Sequence, residues 1–443
     1  MGRENVRRSG APGRAYAYYV LAVLCLANIL ASADRYAFFV LIQPIKREFQ
    51  ASDAAIGFVS GMAFILFYVL LGIPVARWVD RGNRRNILAA SVAIWSLVTM
   101  LGGMAASMVQ LGASRAGLGA GEAGAVPASQ SLIADYFPKA DRPAAVSVFQ
   151  AGMAISAIVS AGLVGLIAQS HGWRMALIAM GAPGLLVALL IFLTVREPMR
   201  GAMDQAEAAA RSPTLRPGWW AAIMGLLKGK AFRYLFLSQI GAGIAAGILP
   251  VWLPIYFMRA YGLTLPQVGA VTGFLMGAVM LASFTIVGFI GTLTMRRGMS
   301  ERTMSVIPAV ASAAAVPLLC AVLLTGPFAT VLALASVYFF CQFATRPAAF
   351  TLSIELVPAD QRGLSAAVIV IANSLIGAGF GPMAAGMISD ALTPSMGEVA
   401  ALRTALLAIV PAAMALCALG FIGVFRHMPG KGSAAIKPDA ATA

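Results

Sequence analysis

Leu111–Pro138 reads LGASRAGLGAGEAGAVPASQSLIADYFP. The stretch is small and apolar, yet it carries Arg115 and Glu122. Seven residues make about two helical turns, so both side chains fall on one face, roughly 10 Å apart along the axis. Around them stand Gly117, Gly119, Gly121 and Gly124 with Ala120, Ala123 and Ala125. Small residues let membrane helices approach closely. A charge on such a helix must face protein or trapped water, because its insertion costs roughly 2.5–3.5 kcal/mol on translocon scales. Charged residues inside a span point to function by default. A structural ion pair is the alternative.

The rest of the chain has the same character. Hydrophobic residues make up 60% of its 443 positions and charged residues 11%, against roughly 25% charged in soluble domains. This is an all-α polytopic membrane protein. A span needs about 20 apolar residues, and twelve segments qualify. They lie near 16–42, 53–76, 85–106, 109–136, 142–168, 173–194, 231–258, 265–294, 302–324, 327–356, 361–390 and 400–425. Twelve spans place both termini on one side. That side carries 24 of the Lys and Arg residues, and the other carries Lys46, Arg47, Arg174, Arg259 and Arg403. The positive-inside rule then puts both termini in the cytoplasm. The net charge of +15 is a topology signal on this reading, not a nucleic-acid surface. The N-terminal apolar segment is too long for a signal peptide. Cys25, Cys320, Cys341 and Cys417 are scattered through apolar segments, which suits small core residues without a disulfide or metal role. With only His171 and His427, both at loop edges, a histidine proton relay is not expected. No nucleophile–base pair, metal cluster or phosphate loop points to an enzyme, and no cofactor is expected.

The longest polar stretch, 196–230, divides the chain into an N-terminal six-helix bundle (1–195) and a C-terminal one (231–427), with a tail at 428–443. Within that linker, WWAAIMGLLKG suits a short interfacial helix anchored by Trp219 and Trp220. The halves repeat each other. Asp135-Tyr-Phe-Pro138 with Arg142 matches Glu355-Leu-Val-Pro358 with Arg362 at an offset of 220, as Pro127 matches Pro347. Gly72 matches Gly288 at an offset of 216. Transporters build alternating access from such repeats around a midplane site. At the 220 offset Glu122 meets Gln342 and Arg115 meets Ala335. Titratable chemistry therefore belongs to the N-terminal half.

At Gly72-Ile-Pro-Val-Ala-Arg-Trp-Val-Asp-Arg-Gly-Asn-Arg-Arg85 the sequence resembles the signature after the second span of the major facilitator superfamily. The second copy, Gly288–Gly298, departs from it, with Arg296 where the acid would stand. Three further pieces resemble the Spinster branch: Asp34-Arg35-Tyr36, the GAGEA run Gly119–Ala123, and IADYFP followed by Arg142. The resemblance covers nearly the whole chain. It implies the facilitator fold, two pseudo-symmetric six-helix bundles, and a lipid-like cargo such as lysophospholipid or sphingosine-1-phosphate, with proton coupling in some members. The short loops and plain termini resemble bacterial members, which implies a bacterial inner membrane.

Read as chemistry, Asp34, Arg35 and Arg115 share the outer third of the membrane and Glu122 lies nearer its middle. Burial favours a protonated carboxyl and a neighbouring Arg favours the carboxylate. Arg stays charged, so Asp34 and Glu122 are the groups able to switch. Permanent pairing for packing is the alternative. Arg346, in span 10, has no acid at matching depth in its own half. It either captures an anionic headgroup or snorkels toward the cytoplasm. Phe38, Phe39, Trp252, Tyr256, Phe257, Tyr338, Phe339 and Phe343, with Gln342, are candidates to line an amphipathic pocket, against ordinary helix packing. Asp80 with Arg81, Arg84 and Arg85 reads as a cytoplasmic gating network. The expectation is a monomeric proton-coupled transporter of an amphipathic anionic solute. An exporter of small organic anions or drugs is the alternative, and a non-transporting sensor a remote one.

Overall fold

The computed structural model describes residues 13–138, 141–199, 219–297, 301–357 and 362–428. Most of the expected linker and nearly all of the tail lie outside the described residues. Nine helical segments among the described residues are long and apolar enough to cross a membrane. Two of them, Ala145–Thr194 and Ala367–His427, are about twice the needed length. Each turns back at a glycine in the left-handed region, Gly172 (φ 81°) and Gly397 (φ 78°), a conformation that a Cβ would strain. Each is therefore a pair of spans. The remaining span is Met108–Glu122 followed by Ala125–Tyr136, whose charge and central break make it weakly apolar. Twelve spans result, as the sequence implies.

In chain order, α1 is Arg14–Phe49, and α2 runs from Asp53 to Arg81 with a π-turn at Phe58–Met62. Next, α3 is Arg84–Gly103 and α4 the broken helix just described. The arms of Arg142–Thr194 are α5 and α6. After a short helix at Trp219–Lys228 comes α7, Lys230–Tyr261. Then α8 runs from Leu265 to Arg296 with a π-turn at Phe274–Ala278. Val306–Leu324 is α9, entered through a 3₁₀ turn, Glu301–Ser305. Phe328–Phe343 and Thr345–Glu355 form α10. Finally α11 begins at Arg362, passes a π-turn at Ala372–Gly379 and meets α12 at Gly397. Helix α1 outruns its expected span because Lys46, Arg47 and Glu48 continue the helix into a polar end. The helix at Trp219–Lys228 forms where WWAAIMGLLKG suggests one, but the side chains of Trp219 and Trp220 lie outside the described residues.

The repeat extends to irregularities. The π-turns of α2 and α8 are 216 positions apart, the offset that relates Gly72 to Gly288. The breaks in α4 and α10 fall at Ala123–Gly124 and at Ala344, matching at an offset of 220. Both breaks sit within two residues of a charge, Glu122 and Arg346. A broken ladder inside a membrane is tolerated where it lines a cavity or is buried in protein.

Call the end holding Arg14 and His427 the terminal end, and the other the far end. The halves meet toward the far end by backbone-to-backbone contact. A Cβ on Gly57 of α2 would lie 2.3 Å from the Pro382 carbonyl oxygen of α11. One on Gly269 of α8 would lie 2.2 Å from that of Ala161 in α5. Within the N-terminal half, α4 is pressed on α2 in the same way, with Gly119 against the Phe64 carbonyl at 2.2 Å. Gly162 has no such neighbour within 4 Å. Gly119→Ala should therefore lower stability by about 1–3 kcal/mol through overpacking. Gly162→Ala should hold or raise it, since alanine stiffens a helix. Melting of the two purified variants in detergent checks the contrast.

Candidate functional site

The first of the expected charges lie together. Arg35 of α1 donates through Nη1 to Oε2 of Glu122, at the break in α4. Its Nη2 reaches Ser32 Oγ at 3.3 Å. Asp34, one residue earlier, bonds no guanidinium. Its Oδ2 accepts from Thr99 Oγ1 of α3 at 3.0 Å, and its Oδ1 is buried without a partner. Oε1 of Glu122 is buried and unpartnered too. Arg115 lies over the Phe38 ring at 4.3 Å and the Phe64 ring at 5.5 Å, within electrostatic range of Glu122 and Asp34. Four charges thus share one direct ion pair. Asp34, Arg115 and Glu122 are each at most 5% exposed, while the Arg35 side chain keeps 28%. Arg35 is the most exposed of the four and, with Glu122, lines a small pocket inside the N-terminal half.

From the C-terminal half, Arg346 approaches α1. It is partly buried and lies within electrostatic range of Tyr36 and Arg35 on α1. Among the described residues no acid is in ion-pair contact with it. One and two turns back on α10 come Gln342 and Tyr338. Neither amide atom of Gln342 nor the Tyr338 hydroxyl has a partner.

The candidate aromatic residues are mostly interior in this conformation. Trp252 is fully buried and its Nε1 donates to the Pro382 carbonyl at 2.9 Å. Tyr256 donates to the Leu323 carbonyl at 3.3 Å. Phe257 packs edge-on against Phe328, and Phe339 lies between Tyr338 and Phe343. Phe39 is half-buried, edge-on to Tyr36. Phe38 supports Arg115.

The expected gating residues are arranged differently from their sequence neighbourhood. The side chain of Asp80 lies outside the described residues, and Arg81 is exposed. Arg84 is 1% exposed, and its carboxylate partners are distant in sequence. It pairs with Asp135 of α4 through Nη1 and with Glu197, past α6, at 2.6 Å through Nε. The Arg85 amide donates to Glu197 at 2.9 Å. This network ties α3 to α4 and α6 inside one half.

Sequence reasoning missed a second polar hub. Asp53 opens α2 at the far end and is 1% exposed. It takes Lys46 Nζ at 2.5 Å, Arg259 of α7 at 3.1 Å and Ser389 of α11 at 2.7 Å. Asp390 accepts from the backbone N–H groups of Asp53 and Ala54, both at 2.8 Å, where a helix N-terminus favours a carboxylate. Among the described residues, every hydrogen bond joining the halves ends on Asp53 or Ala54. The available signal was an acid directly after Ser52 at the start of a span, with basic residues on the same side.

The Major Facilitator Superfamily sequence model matches residues 24–382. This chain belongs to that superfamily. Among facilitators it is similar to an MFS-type efflux pump of Mycolicibacterium smegmatis, 32% identical over 92% of this chain and 91% of the relative. It is 30% identical to the rat protein spinster homolog 1 over 58% of this chain, a match spanning 49% of that relative. A bacterial homolog of the human lysosomal transporter Spinster, solved inward-facing and unoccupied, has the same fold. Its TM-score is 0.79 at 27% identity, covering 94% of this chain and 98% of that one. The facilitator fold gives the two hubs distinct places, one amid the N-terminal bundle and one where the bundles join.

Two outcomes follow from these hubs. Asp53→Asn leaves Lys46 and Arg259 facing a neutral amide. The far end should open in a larger fraction of molecules, by roughly tenfold if about 1.4 kcal/mol is lost. Spin labels at Gln50 and Ala391 should report it as a longer distance population. Arg84→Ala strands two acids and should cost about 3 kcal/mol, the lower end for breaking a buried pair, read as a fall in Tm.

Proposed function

We propose that this facilitator is a proton-coupled secondary transporter of an amphipathic, anionic, lipid-like solute. Residues 1–195 and 231–427 act as the two moving bundles. The terminal end is cytoplasmic in a bacterial inner membrane, in keeping with the 24 basic residues placed there by the sequence, so the present conformation faces inward.

One observation carries the reading: of two buried acids, only one is bonded to a guanidinium. Arg35 holds Glu122, while Asp34 has only a hydroxyl. A buried carboxylate that no cation contacts directly is a place for proton uptake. In this state Asp34 is the proton carrier and Glu122 the ionised partner. A shift of α1 against α4 that parts Arg35 from Glu122 would leave that acid buried without its guanidinium and free to take up a proton in its turn. The two carboxyls then titrate as a pair. An anionic cargo is supported by the charge balance. Arg35, Arg115 and Arg346 stand against Asp34 and Glu122, and protonating Asp34 widens the cationic excess. Arg346 with Gln342 would take the headgroup. Phe38, Phe39 and the aromatic residues of α7 and α10 would meet the apolar part as the halves part. The likeness to Spinster proteins and to a sphingosine-1-phosphate transporter of Danio rerio, 25% identical over 84% of this chain, fits such a cargo. The mycobacterial efflux pump favours a second reading, export of small organic anions or drugs.

Flux of labelled lysophospholipid in proteoliposomes, with and without a pH gradient, separates these readings. Glu122→Gln keeps the hydrogen-bonding shape without ionising. It should abolish gradient-driven flux while exchange without a gradient survives. Asp34→Asn should do the same. Normal gradient-driven transport by both variants would end the proton-coupling proposal. Transport of a small aromatic anion in preference to lysophospholipid would favour the export reading. Arg346→Ala should weaken binding of a phosphate-bearing lipid more than that of its neutral analogue.

A further inference from the structure

The C-terminal half contains a cavity for which the transport cycle proposed above has no use. It measures about 350 Å³ and lies between α8, α9 and α10, within the usual range of ligand pockets, about 300–1,000 Å³. Gly288, Gly291 and Thr294 line it from α8, Thr303 from the entry to α9, and Pro347 and Thr351 from α10. All six sit in the terminal third of their helices. A Cβ at Gly288 or Gly291 would meet nothing within 4 Å. Thr294 and Thr351 spend their hydroxyls on the Ile290 and Pro347 carbonyls of their own helices, so the wall is apolar.

The repeat shows that the gap is particular to this half. At the 216 offset, Gly291 corresponds to Val75 and Thr303 to Ile87. A Cβ on Gly124 of α4 would meet the Val75 side chain at 2.9 Å and that of Ile87 at 3.4 Å. There the larger residues fill the seam between α2, α3 and α4. Here glycine and threonine leave it open.

The surroundings identify the occupant. Phe289, Ile290, Val306 and Val310 on the same helices are exposed, as membrane-spanning helices present apolar side chains to acyl chains. Arg297 stands one turn beyond Thr294 and is exposed, and Arg302 adjoins Thr303. Basic residues flanking a pocket between spans suit a lipid phosphate. We propose that this groove holds an anionic phospholipid of the surrounding bilayer, one acyl chain between α8 and α10 and the phosphate on Arg297 and Arg302. The lipid is a bound component of the C-terminal bundle, distinct from cargo between the halves.

Native mass spectrometry of the detergent-purified protein, titrated with dioleoyl phosphatidylglycerol or dioleoyl phosphatidylcholine, tests this. Phosphatidylglycerol adducts should dominate. The double variant R297Q/R302Q should reduce them about fivefold per arginine lost. Gly291→Leu should remove most of the remainder by filling the groove. Arg346→Ala, which faces the space between the halves, should leave the adduct unchanged; its loss there would mean that the lipid occupies the cargo site and would overturn the proposal. Equal adducts with both lipids would also overturn it. A phosphatidylglycerol carrying a photoreactive acyl chain guards against misfolding of the leucine variant. Cross-links in wild-type protein should fall on 287–294 and 303–307, and labelling spread evenly over all spans would refute the site.

Discussion

Two buried acids, only one of them bonded to a guanidinium, set the terms at the centre of this molecule. In hydrocarbon a charge cannot be left to solvent, so each buried ionisable group must be paired, hydrogen-bonded or neutralised. Arg35 is bonded to Glu122, and Asp34 has only the Thr99 hydroxyl. Arg115 is held by aromatic faces, where a guanidinium gains by cation–π contact without choosing a carboxylate. The second arginine thus adds positive charge beside both acids without bonding either.

The internal repeat explains how such a site can sit among straight apolar helices. Breaks in α4 and α10 recur at one offset and π-turns in α2 and α8 at another. The irregular backbone is thus a property of the ancestral half, while the charges are not. Glu122 and Arg346 lie close to matching breaks but carry opposite sign. The repeat supplies two similar frames, and different substitutions make one titratable and the other cationic. The cavity beside α8 has the same origin, since Gly291 and Thr303 stand where the first half has Val75 and Ile87.

Much of this was legible in the chain. Span count follows from apolar length, and the twelfth span escapes a count of unbroken helices because it divides into Met108–Glu122 and Ala125–Tyr136. The repeat was visible because residues such as Gly72 and Pro127 recur at fixed offsets in the second half. Partner choice was not legible. Arg84 stands four residues from Asp80, yet it is bonded to Asp135 and Glu197, the second of them 113 positions away. Asp53 finds Arg259 across 206 positions. Nothing local encodes such pairs; they arise when helix packing brings ends together. Exposure of the aromatic residues was equally beyond a linear reading, because Trp252 and Phe257 lie on one apolar helix whose buried face is set by packing.

The two hubs also have opposing demands. Closing the far end needs Asp53 ionised, since Lys46 and Arg259 are both drawn to it. Opening that end would return Asp53 to water, where its charge costs little, but would leave Arg259 with Glu398 at 3.4 Å as its other described acid. That acid is 55% exposed, so its attraction is weak. The far-end latch therefore favours the present state on its own. A counterweight must come from the centre of the molecule, where neutralising or engaging the cationic excess of Arg35, Arg115 and Arg346 changes the cost of bringing the halves together at the terminal end. An anion bound between Arg35 and Arg346 would remove their mutual repulsion, and it is this differential stabilisation, not binding alone, that can move a two-state equilibrium.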